Sequence, residues 1–233
     1  MEGSYVIIGG SQGIGLATAR QIHEGGGDVT VISRNAQSSE AASFAQCIDH
    51  DVLQGGIPKD QLPDAINGLV YCPGSINLKP FKSLKADAFR ADYEVNVIGA
   101  VESIQSALTG LKKGNNPSVV LFSTVAVQQG MPFHASVAAA KGAIEGLTRS
   151  LAAELAPKIR VNCVAPSLVD TPLAAKLLGN ERQQEGATNR HPLKRYGQPE
   201  DIASMALMLL SDQASWVSGQ IIGVDGGLSR LQV

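Results

Sequence analysis

A glycine-rich turn near the start of the chain contains the first residues that could bind a ligand. The turn GGSQGIG, residues 9–15, follows a short apolar run and precedes a segment of helical pattern. Glycine allows a tight turn and lets backbone amides approach a diphosphate, whose charge is favoured by the helix N-terminus. This order of strand, turn and helix predicts a dinucleotide site; the alternative is a glycine turn with a structural role alone. The residues expected to line the site are Gly9, Ser11, Gln12, Gly13 and Ile14.

A positively charged residue follows the second predicted strand, about twenty residues after the glycines. Residues 28–33 form this strand, and Ser33 and Arg34 stand at its end. An acidic side chain here would bind the ribose 2′-hydroxyl of NAD, whereas a guanidinium group offers paired hydrogen bonds to a 2′-phosphate. Arg34 therefore favours NADP(H) as the cofactor. The alternative is that Arg34 is a solvated surface charge, since the glycine turn itself contains no lysine or arginine.

The elements that would position these residues alternate along the whole chain. Short β-branched runs are separated by longer, alanine-rich segments of helical period, a pattern typical of βαβ units. The predicted strands lie near residues 4–9, 28–33, 46–49, 67–72, 117–123, 159–164 and 220–224. The predicted helices lie near residues 13–25, 37–44, 86–110, 134–156, 173–178 and 199–211. The sequence predicts an α/β Rossmann fold in a single domain, residues 1–233, with a doubly wound, seven-stranded parallel sheet and helices on both faces.

Two segments do not fit this alternation. Residues 54–65 are rich in loop formers and short for a full crossover helix, so the helical layer is expected to be abbreviated there. Residues 171–198 mix glycine, asparagine, arginine and glutamine with two prolines. This second segment could be a mobile lid over a substrate site or an ordinary irregular excursion.

Composition argues against several classes of function. The 233 residues carry a net charge of -2 and no cluster of lysine and arginine, so nucleic acid is not an expected partner. Three widely spaced cysteines indicate reduced thiols rather than disulfides, and the histidines show no metal-ligand spacing. The chain has no apolar stretch of membrane-spanning length, and its first residues do not resemble a secretory leader. We expect a cytoplasmic protein with neither a metal nor a membrane partner.

The chain resembles the short-chain dehydrogenase/reductase family over nearly its whole length. GGSQGIG is similar to the family's TGxxxGIG turn, and HDV at residues 50–52 to the segment whose aspartate lies near the adenine. YCPG at residues 71–74 keeps the glycine of the family's NNAG but neither asparagine. YEVNVIGAV, VVLFSTVAVQQG, RVNCVAPSLVDTP and residues 198–227 match four further family segments in order. Seven ordered matches make a chance resemblance implausible.

The resemblance implies roles for residues that spacing alone does not single out. Asn96 would help to hold a water near the catalytic lysine, Lys141, and Thr124 would take the place of the catalytic serine, directly after Ser123. Lys141 would also bind the ribose hydroxyls of the cofactor. The further cofactor contacts implied by the resemblance are Asp51, Val52, Gly74, Asn96, Pro166 and Thr171.

One position departs from the family at the point of proton transfer. The family's catalytic tyrosine precedes its lysine by four residues, so both side chains lie on one face of a helix. Four residues before Lys141 stands Val137. A phenol donates a proton to the carbonyl oxygen as hydride arrives, and the lysine lowers the pKa of that phenol. Valine cannot donate a proton.

Two functions therefore remain open. The first is an active NADP(H)-dependent oxidoreductase that transfers hydride to a small-molecule carbonyl or, with less need for a phenol, to an enone or enoyl thioester. His134 is then a candidate proton donor beside Thr124, with Ser136 a poorer one; His134 could equally face solvent or a subunit contact. The second is a catalytically inactive NADP(H)-binding protein that acts as a sensor or structural partner.

The resemblance also implies a homotetramer. Family members assemble through the long helices after the fourth and fifth strands and through the C-terminal segment, and the alanine-rich residues 135–156 would allow close helix contacts. Trp216 is expected to pack in the core or at an interface, and Met205 and Met208 in the core.

Overall fold

The computed structural model describes residues 1–232 and contains one sheet of seven parallel strands. The strands are Ser4–Ile8 (β1), Asp28–Ser33 (β2), Gln46–Asp49 (β3), Gly68–Tyr71 (β4), Ser118–Phe122 (β5), Arg160–Pro166 (β6) and Ile221–Val224 (β7). They lie in the order β3-β2-β1-β4-β5-β6-β7. The winding reverses between β1 and β4, so a crevice forms at the carboxyl ends of these two strands. The predicted fold class is confirmed.

Helices cover both faces of this sheet. The α-helices are Gly13–Glu24 (α1), Ala86–Tyr93 (α2), Gly99–Lys113 (α3), Ala126–Gln129 (α4), Ala135–Leu155 (α5), Glu181–Arg190 (α6) and Pro199–Leu210 (α7). One core lies between the sheet and α3 and α5, and a second between the sheet and α1 and α7. Successive residues of β1 serve opposite cores, since Ile7 belongs to the second and Ile8 to the first. Because both faces are covered, the strands are apolar without alternation.

Several predicted helices differ from the observed ones. The expected helix over residues 86–110 is interrupted by a π-helical turn, Glu94–Ile98, which carries Asn96. Such turns are frequent at functional sites. The expected helices over residues 37–44 and 173–178 are short 3-10 segments, Glu40–Ser43 and Pro172–Leu177. Residues 54–65 contain no α-helix, in agreement with the abbreviated layer expected there.

The segment over residues 171–198 is more regular than the sequence suggested. It contains α6, which the sequence analysis missed because ERQQEGATNR has no apolar face and buries one residue, Ala187. The signal that could have found it is Asn180, whose side chain caps the helix by accepting from the Gln183 amide at 3.0 Å.

Two apolar side chains are more exposed than expected. Met208 is 48% exposed, so the expectation of core packing is wrong for this residue. Trp216 is 100% exposed, which excludes core packing and leaves the expected alternative of an interface. Met205 does pack, half-buried, against the second core. The buried face of α7 carries Ile202, Ala206 and Leu209, and Met208 lies on nearly the opposite side of the helix. None of the helices within residues 1–232 combines the length and the apolar character that a bilayer span requires.

Candidate active site

The residues predicted for the site converge on the carboxyl edge of the sheet. The glycine turn follows β1, Ser33 and Arg34 end or follow β2, and residues 51–52 follow β3. Gly74 comes after β4, Thr124 after β5, and Pro166 and Thr171 at or after the end of β6. In a parallel sheet these strand ends share one edge, which brings residues distant in sequence together.

The glycine turn has the geometry that a diphosphate requires. Gly9 and Gly13 adopt positive φ values of 76° and 54°. A side chain at Gly15 would place its Cβ 2.3 Å from the carbonyl oxygen of Gly9, so α1 can approach β1 this closely with glycine alone. Gln12 precedes the helix but its side chain makes no capping hydrogen bond. The first amides of α1 are therefore directed at the crevice without a side-chain acceptor from Gln12.

Thr171 closes this turn from the opposite side. A Cβ built on Gly13 would lie 3.2 Å from Thr171 Cγ2, so the start of the 171–198 segment borders the diphosphate position. Thr171 also accepts from the Ala174 amide at 3.3 Å, which starts the following 3-10 segment. The segment of residues 171–198, considered above as a lid, thus begins beside the glycine turn.

Arg34 is exposed at the end of β2 beside polar groups. Ser11 Oγ of the glycine turn lies 3.5 Å from Asn35 Oδ1, so the turn and the end of β2 meet there. No ion pair in the described part of the chain includes Arg34, which leaves its guanidinium group available. Ser33 Oγ is buried and lacks a hydrogen-bond partner within residues 1–232. These groups form a polar corner that a ligand with phosphate and hydroxyl groups could satisfy.

The segments after β3 and β4 are partly occupied by contacts within the chain. Asp51 Oδ1 accepts from the Leu53 amide at 3.0 Å. Tyr71, where the family has an asparagine, donates its phenolic hydrogen to the Val95 carbonyl oxygen at 2.6 Å. Burial raises the pKa of Tyr71 above its usual range. This phenol therefore fastens the π-helical turn to β4 and is a poor proton donor for a ligand.

The side chains of Asn96 and Lys141 both approach Gly74, without a hydrogen bond between Asn96 Oδ1 and Lys141 Nζ. A Cβ built on Gly74 would lie 3.3 Å from Asn96 Oδ1 and 3.5 Å from Lys141 Nζ. The absence of a side chain at Gly74 leaves a small polar space between two buried groups, since Asn96 is 0% and Lys141 9% exposed. Asn96 Oδ1 has no hydrogen-bond partner in the described chain. The π-helical turn thus places the Asn96 acceptor, and α5 places the Lys141 ammonium group, beside Gly74.

Burial changes the proton affinity of Lys141. It lowers the pKa of the ammonium group from 10.5 to about 8, an effect that the nearby thiols of Cys163 and Cys72 oppose only in part. Burial raises the pKa of each of these thiols to about 12, so both stay protonated at neutral pH. Lys141 can therefore release and regain a proton near neutral pH.

The two hydroxyl residues after β5 have different surroundings. Ser123 is buried and donates to Glu145 Oε1 at 2.8 Å, which ties the end of β5 to α5. Thr124 is half-buried and accepts from the Ala126 amide at 3.3 Å. No acceptor within residues 1–232 takes the hydroxyl hydrogen of Thr124. Of the two, Thr124 has the free donor, as its place in the family motif implies.

The start of α5 contains the remaining candidates. Val137 is buried one helical turn before Lys141. His134 precedes the helix, and its Nδ1 lies 2.7 Å from the Pro132 carbonyl oxygen, which can only accept. Neutral His134 therefore carries its hydrogen on Nδ1, and Nε2 can donate only in the imidazolium form. Ser136 Oγ is buried without a partner in the part of the chain that the structure describes.

A serine and histidine pair was missed by the sequence analysis. Ser167, which follows β6, lies with its Oγ 2.8 Å from Nε2 of buried His191, at the end of α6. His191 Nδ1 faces the Ala187 carbonyl oxygen at 2.7 Å, so Nδ1 carries the hydrogen and Ser167 donates to Nε2 of the neutral ring. The pair anchors the 171–198 segment to the sheet edge. Its members stand 24 residues apart and no local pattern links them.

Known proteins are similar to this chain over nearly its whole length. A family model described as enoyl-(acyl carrier protein) reductase matches residues 9–229. A 3-oxoacyl-(acyl-carrier-protein) reductase from Thermotoga maritima is 33% identical over 98% of this chain and 98% of its own length. The structure of Thermoplasma acidophilum aldohexose dehydrogenase superimposes with a TM-score of 0.89 at 27% identity, over 100% of this chain and 96% of that one. Actinorhodin polyketide ketoreductase with NADPH gives a TM-score of 0.88 at 25% identity, over 99% and 98% of the two chains.

Fold and site together define a dinucleotide-binding protein of the doubly wound α/β class. The extent of the matches makes the assignment specific: the chain belongs to the short-chain dehydrogenase/reductase family of oxidoreductases.

Proposed function

We propose that the chain is an NADP(H)-dependent oxidoreductase acting on a small-molecule carbonyl or an activated enone or enoyl substrate. The observation that carries this proposal is the meeting of Asn96 Oδ1 and Lys141 Nζ at Gly74, on the sheet edge that also carries the glycine turn. A buried lysine that titrates near neutral pH, in a crevice built for a dinucleotide, suits proton transfer coupled to hydride transfer.

The polar corner at β2 supports NADP(H) as the cofactor. Arg34 offers a fork for a 2′-phosphate, and Asn35, whose Oδ1 accepts from Ser11 Oγ at 3.5 Å, keeps its amide N–H groups as neighbouring donors. The unpartnered Ser33 Oγ and Asn96 Oδ1 are buried polar atoms that a nucleotide could satisfy. One structural relative was solved with NADPH. Thr171 and Pro166 would flank the nicotinamide end, and Lys141 the adjoining ribose.

The chain's own residues would control the proton. Bound NADPH would supply the hydride and leave as NADP+. Thr124 can donate a hydrogen bond to the substrate oxygen on which charge develops. Lys141 can release a proton near neutral pH, while Val137 contributes bulk and no proton. An enolate oxygen needs stabilisation more than immediate protonation, so Val137 favours enone or enoyl substrates over simple ketones.

Val137 also favours a second candidate function. If it occupies the position of the family's proton-donating tyrosine, the chain could bind NADP(H) without turning over a substrate, as a sensor or structural partner. Lys141 would then serve for binding the cofactor ribose alone.

Cofactor binding and turnover test these proposals separately. Fluorescence titration is expected to give tighter binding of NADPH than of NADH, with the order reversed in Arg34→Asp. Lys59→Asp makes the same charge change near the amino edge of the sheet and should leave the order unchanged. Equal affinities in the unaltered protein would contradict the assignment of NADP(H).

Turnover is measured as NADPH oxidation with ketones, enones and enoyl thioesters. Activity with any class supports the oxidoreductase. Tight NADPH binding without oxidation in all three classes would favour the inactive binding protein instead.

We further propose a cytoplasmic homotetramer. Trp216 is fully exposed, and a tryptophan in that position is a frequent element of protein interfaces. Sedimentation equilibrium should show four chains, and Trp216→Ser should lower that number. A monomeric unaltered protein would contradict this proposal.

A further inference from the structure

A buried hydrogen-bond network connects the loop after β4 to the helix that carries Asn96. Ser75 Oγ donates to Asp92 Oδ1 at 2.6 Å. Asn96 Nδ2 donates to Ser75 Oγ at 2.9 Å and to the Asp92 carbonyl oxygen at 2.7 Å. Asp92 is 3% exposed, so the network ends in a buried carboxyl group one helical turn before Asn96.

Donor and acceptor counting fixes the direction of every bond in this network. The single hydroxyl hydrogen of Ser75 is used by the Asp92 carboxylate, which can only accept. Ser75 Oγ is therefore left as an acceptor, and the Asp92 carbonyl oxygen accepts as well. Both partners require the nitrogen of the Asn96 amide, so both of its N–H groups are used. Asn96 Oδ1 must then face the other way, toward Gly74 and Lys141.

The reverse orientation of the amide would be unfavourable on both sides. Asn96 Oδ1 would then face the Asp92 carbonyl oxygen and Ser75 Oγ. Neither oxygen could donate to it, because the hydroxyl hydrogen of Ser75 is already donated to the Asp92 carboxylate. The amide N–H groups would face the Lys141 ammonium group, which has donors only. Asp92 and Ser75 thus decide which end of Asn96 meets Lys141.

We propose that Asp92 and Ser75 are positioning residues for proton transfer, because they hold the Asn96 carbonyl oxygen toward the Lys141 ammonium group. The inference rests on the proposed oxidoreductase function, in which Lys141 carries the proton. The carboxylate polarises the chain of hydrogen bonds, so the oxygen offered to Lys141 is a better acceptor than an isolated amide. Without this oxygen, a buried ammonium group would face the crevice with less compensation.

Other groups near Lys141 do not provide the same compensation. The thiols of Cys72, after β4, and Cys163, on β6, are protonated at neutral pH because burial raises the pKa of each to about 12. Glu145, one turn further along α5, accepts from Ser123. Reorienting the Asn96 oxygen should therefore change the pKa of Lys141.

The test reads the protonation of Lys141 directly. In protein labelled with 13C-lysine, the ε-carbon resonance of Lys141 is assigned by its absence in Lys141→Met and titrated with and without NADP+. Ser75→Ala cuts the network and is expected to lower the titration midpoint by about one pH unit. Asp92→Asn keeps an acceptor for Ser75 but removes the charge, so a smaller shift is expected. Ser75→Thr restores the hydroxyl and should restore the midpoint.

Ser118→Ala is the matched control. Ser118 is buried on β5 and donates to the Leu209 carbonyl oxygen at 2.9 Å, so its loss removes a buried hydrogen bond outside the site. It should leave the Lys141 midpoint unchanged. If Ser75→Ala also leaves the midpoint unchanged, or Ser75→Thr fails to restore it, the positioning role is overturned.

Turnover separates this inference from the proposed function. A shifted midpoint in a protein that oxidises no NADPH would support the positioning of Lys141 and contradict the oxidoreductase. NADPH oxidation together with an unchanged Lys141 midpoint in Ser75→Ala would support the oxidoreductase and contradict the positioning role. Where turnover exists, Ser75→Ala should lower kcat by about tenfold at pH 8 with little change in the KM for NADPH.

Discussion

The two halves of the crevice differ in how their polar side chains are connected. On the nucleotide side, Ser33 Oγ lacks a partner and Arg34 forms no ion pair within residues 1–232. On the reacting side, the Ser75, Asp92 and Asn96 side chains bond to one another. This network still leaves Asp92 Oδ2 and Asn96 Oδ1 without a partner in the described residues, so the second half combines fixed side chains with open acceptors.

This difference separates the residues proposed to bind the cofactor from those proposed to move the proton. Binding a dinucleotide requires a tight turn and free amides, and the glycine turn with the start of α1 supplies both. Proton transfer requires a donor beside Lys141, and Val137 there is apolar. The network in the reacting half includes Asn96, whose unpartnered Oδ1 lies near Gly74 as Lys141 Nζ does, so the proposed chemistry should depend on Lys141 more than on any other single residue.

The largest expected effect comes from replacing Lys141. Lys141→Met should lower turnover by at least about a hundredfold. It should also stabilise the protein at pH 7 by roughly 3 kcal/mol, since burial lowers the pKa of Lys141 from 10.5 to about 8 and each pKa unit corresponds to about 1.4 kcal/mol. Urea unfolding at pH 7 measures this gain.

The size of this stability change depends on pH. The folded state disfavours the charged lysine, so the cost is full below about pH 8 and disappears as pH rises through the unfolded-state value of 10.5. The stability difference between Lys141→Met and the unaltered chain should therefore narrow at pH 10. A variant that is less stable at pH 7 would contradict the assigned burial cost.

A second experiment restores a proton donor to the reacting half. Val137→Tyr places a phenol one turn before Lys141 and should raise ketone reduction by about tenfold or more. Val137→Phe adds nearly the same bulk without the hydroxyl group and serves as the control. Equal rates for the two variants would show that volume at this position, rather than proton donation, matters.

The pH dependence of turnover should follow Lys141 and not Arg34. Carbonyl or enone reduction that uses protonated Lys141 should fall by about tenfold per pH unit above about pH 8. NADPH binding through Arg34 should change little over the same range, because a guanidinium group stays charged. In Lys141→Arg the alkaline fall should vanish from whatever rate remains. A rate independent of pH between 7 and 10 in the unaltered chain would exclude Lys141 as the proton carrier.

The smallest expected effect is at the start of α5. His134→Ala should lower turnover by about two- to fivefold, because Nε2 can donate only when the ring is charged. His23→Ala on α1, away from the crevice, is the control. Unchanged turnover in His134→Ala would remove His134 from the mechanism.

The sequence determined the fold, and it predicted the residues proposed to bind the nucleotide. Local signals suffice there: β-branched runs specify buried strands, glycines specify the turn, and Arg34 follows β2 at a fixed interval. The strand boundaries agree with the structure to within about two residues. The polar helix α6 and the outward-facing Met208 were misjudged, because an amphipathic pattern says little about an element that buries almost nothing.

The reacting half was decided by tertiary structure. Sequence could name Asn96 and Lys141 and the absence of a tyrosine at Val137, but not the pairing of Ser75 with Asp92 or of Ser167 with His191. Hydrogen bonds between strand-end loops and helices join residues 17 and 24 positions apart, distances at which no periodicity operates. The fall in the Lys141 pKa has the same origin, because burial arises only once the sheet and α5 have packed together.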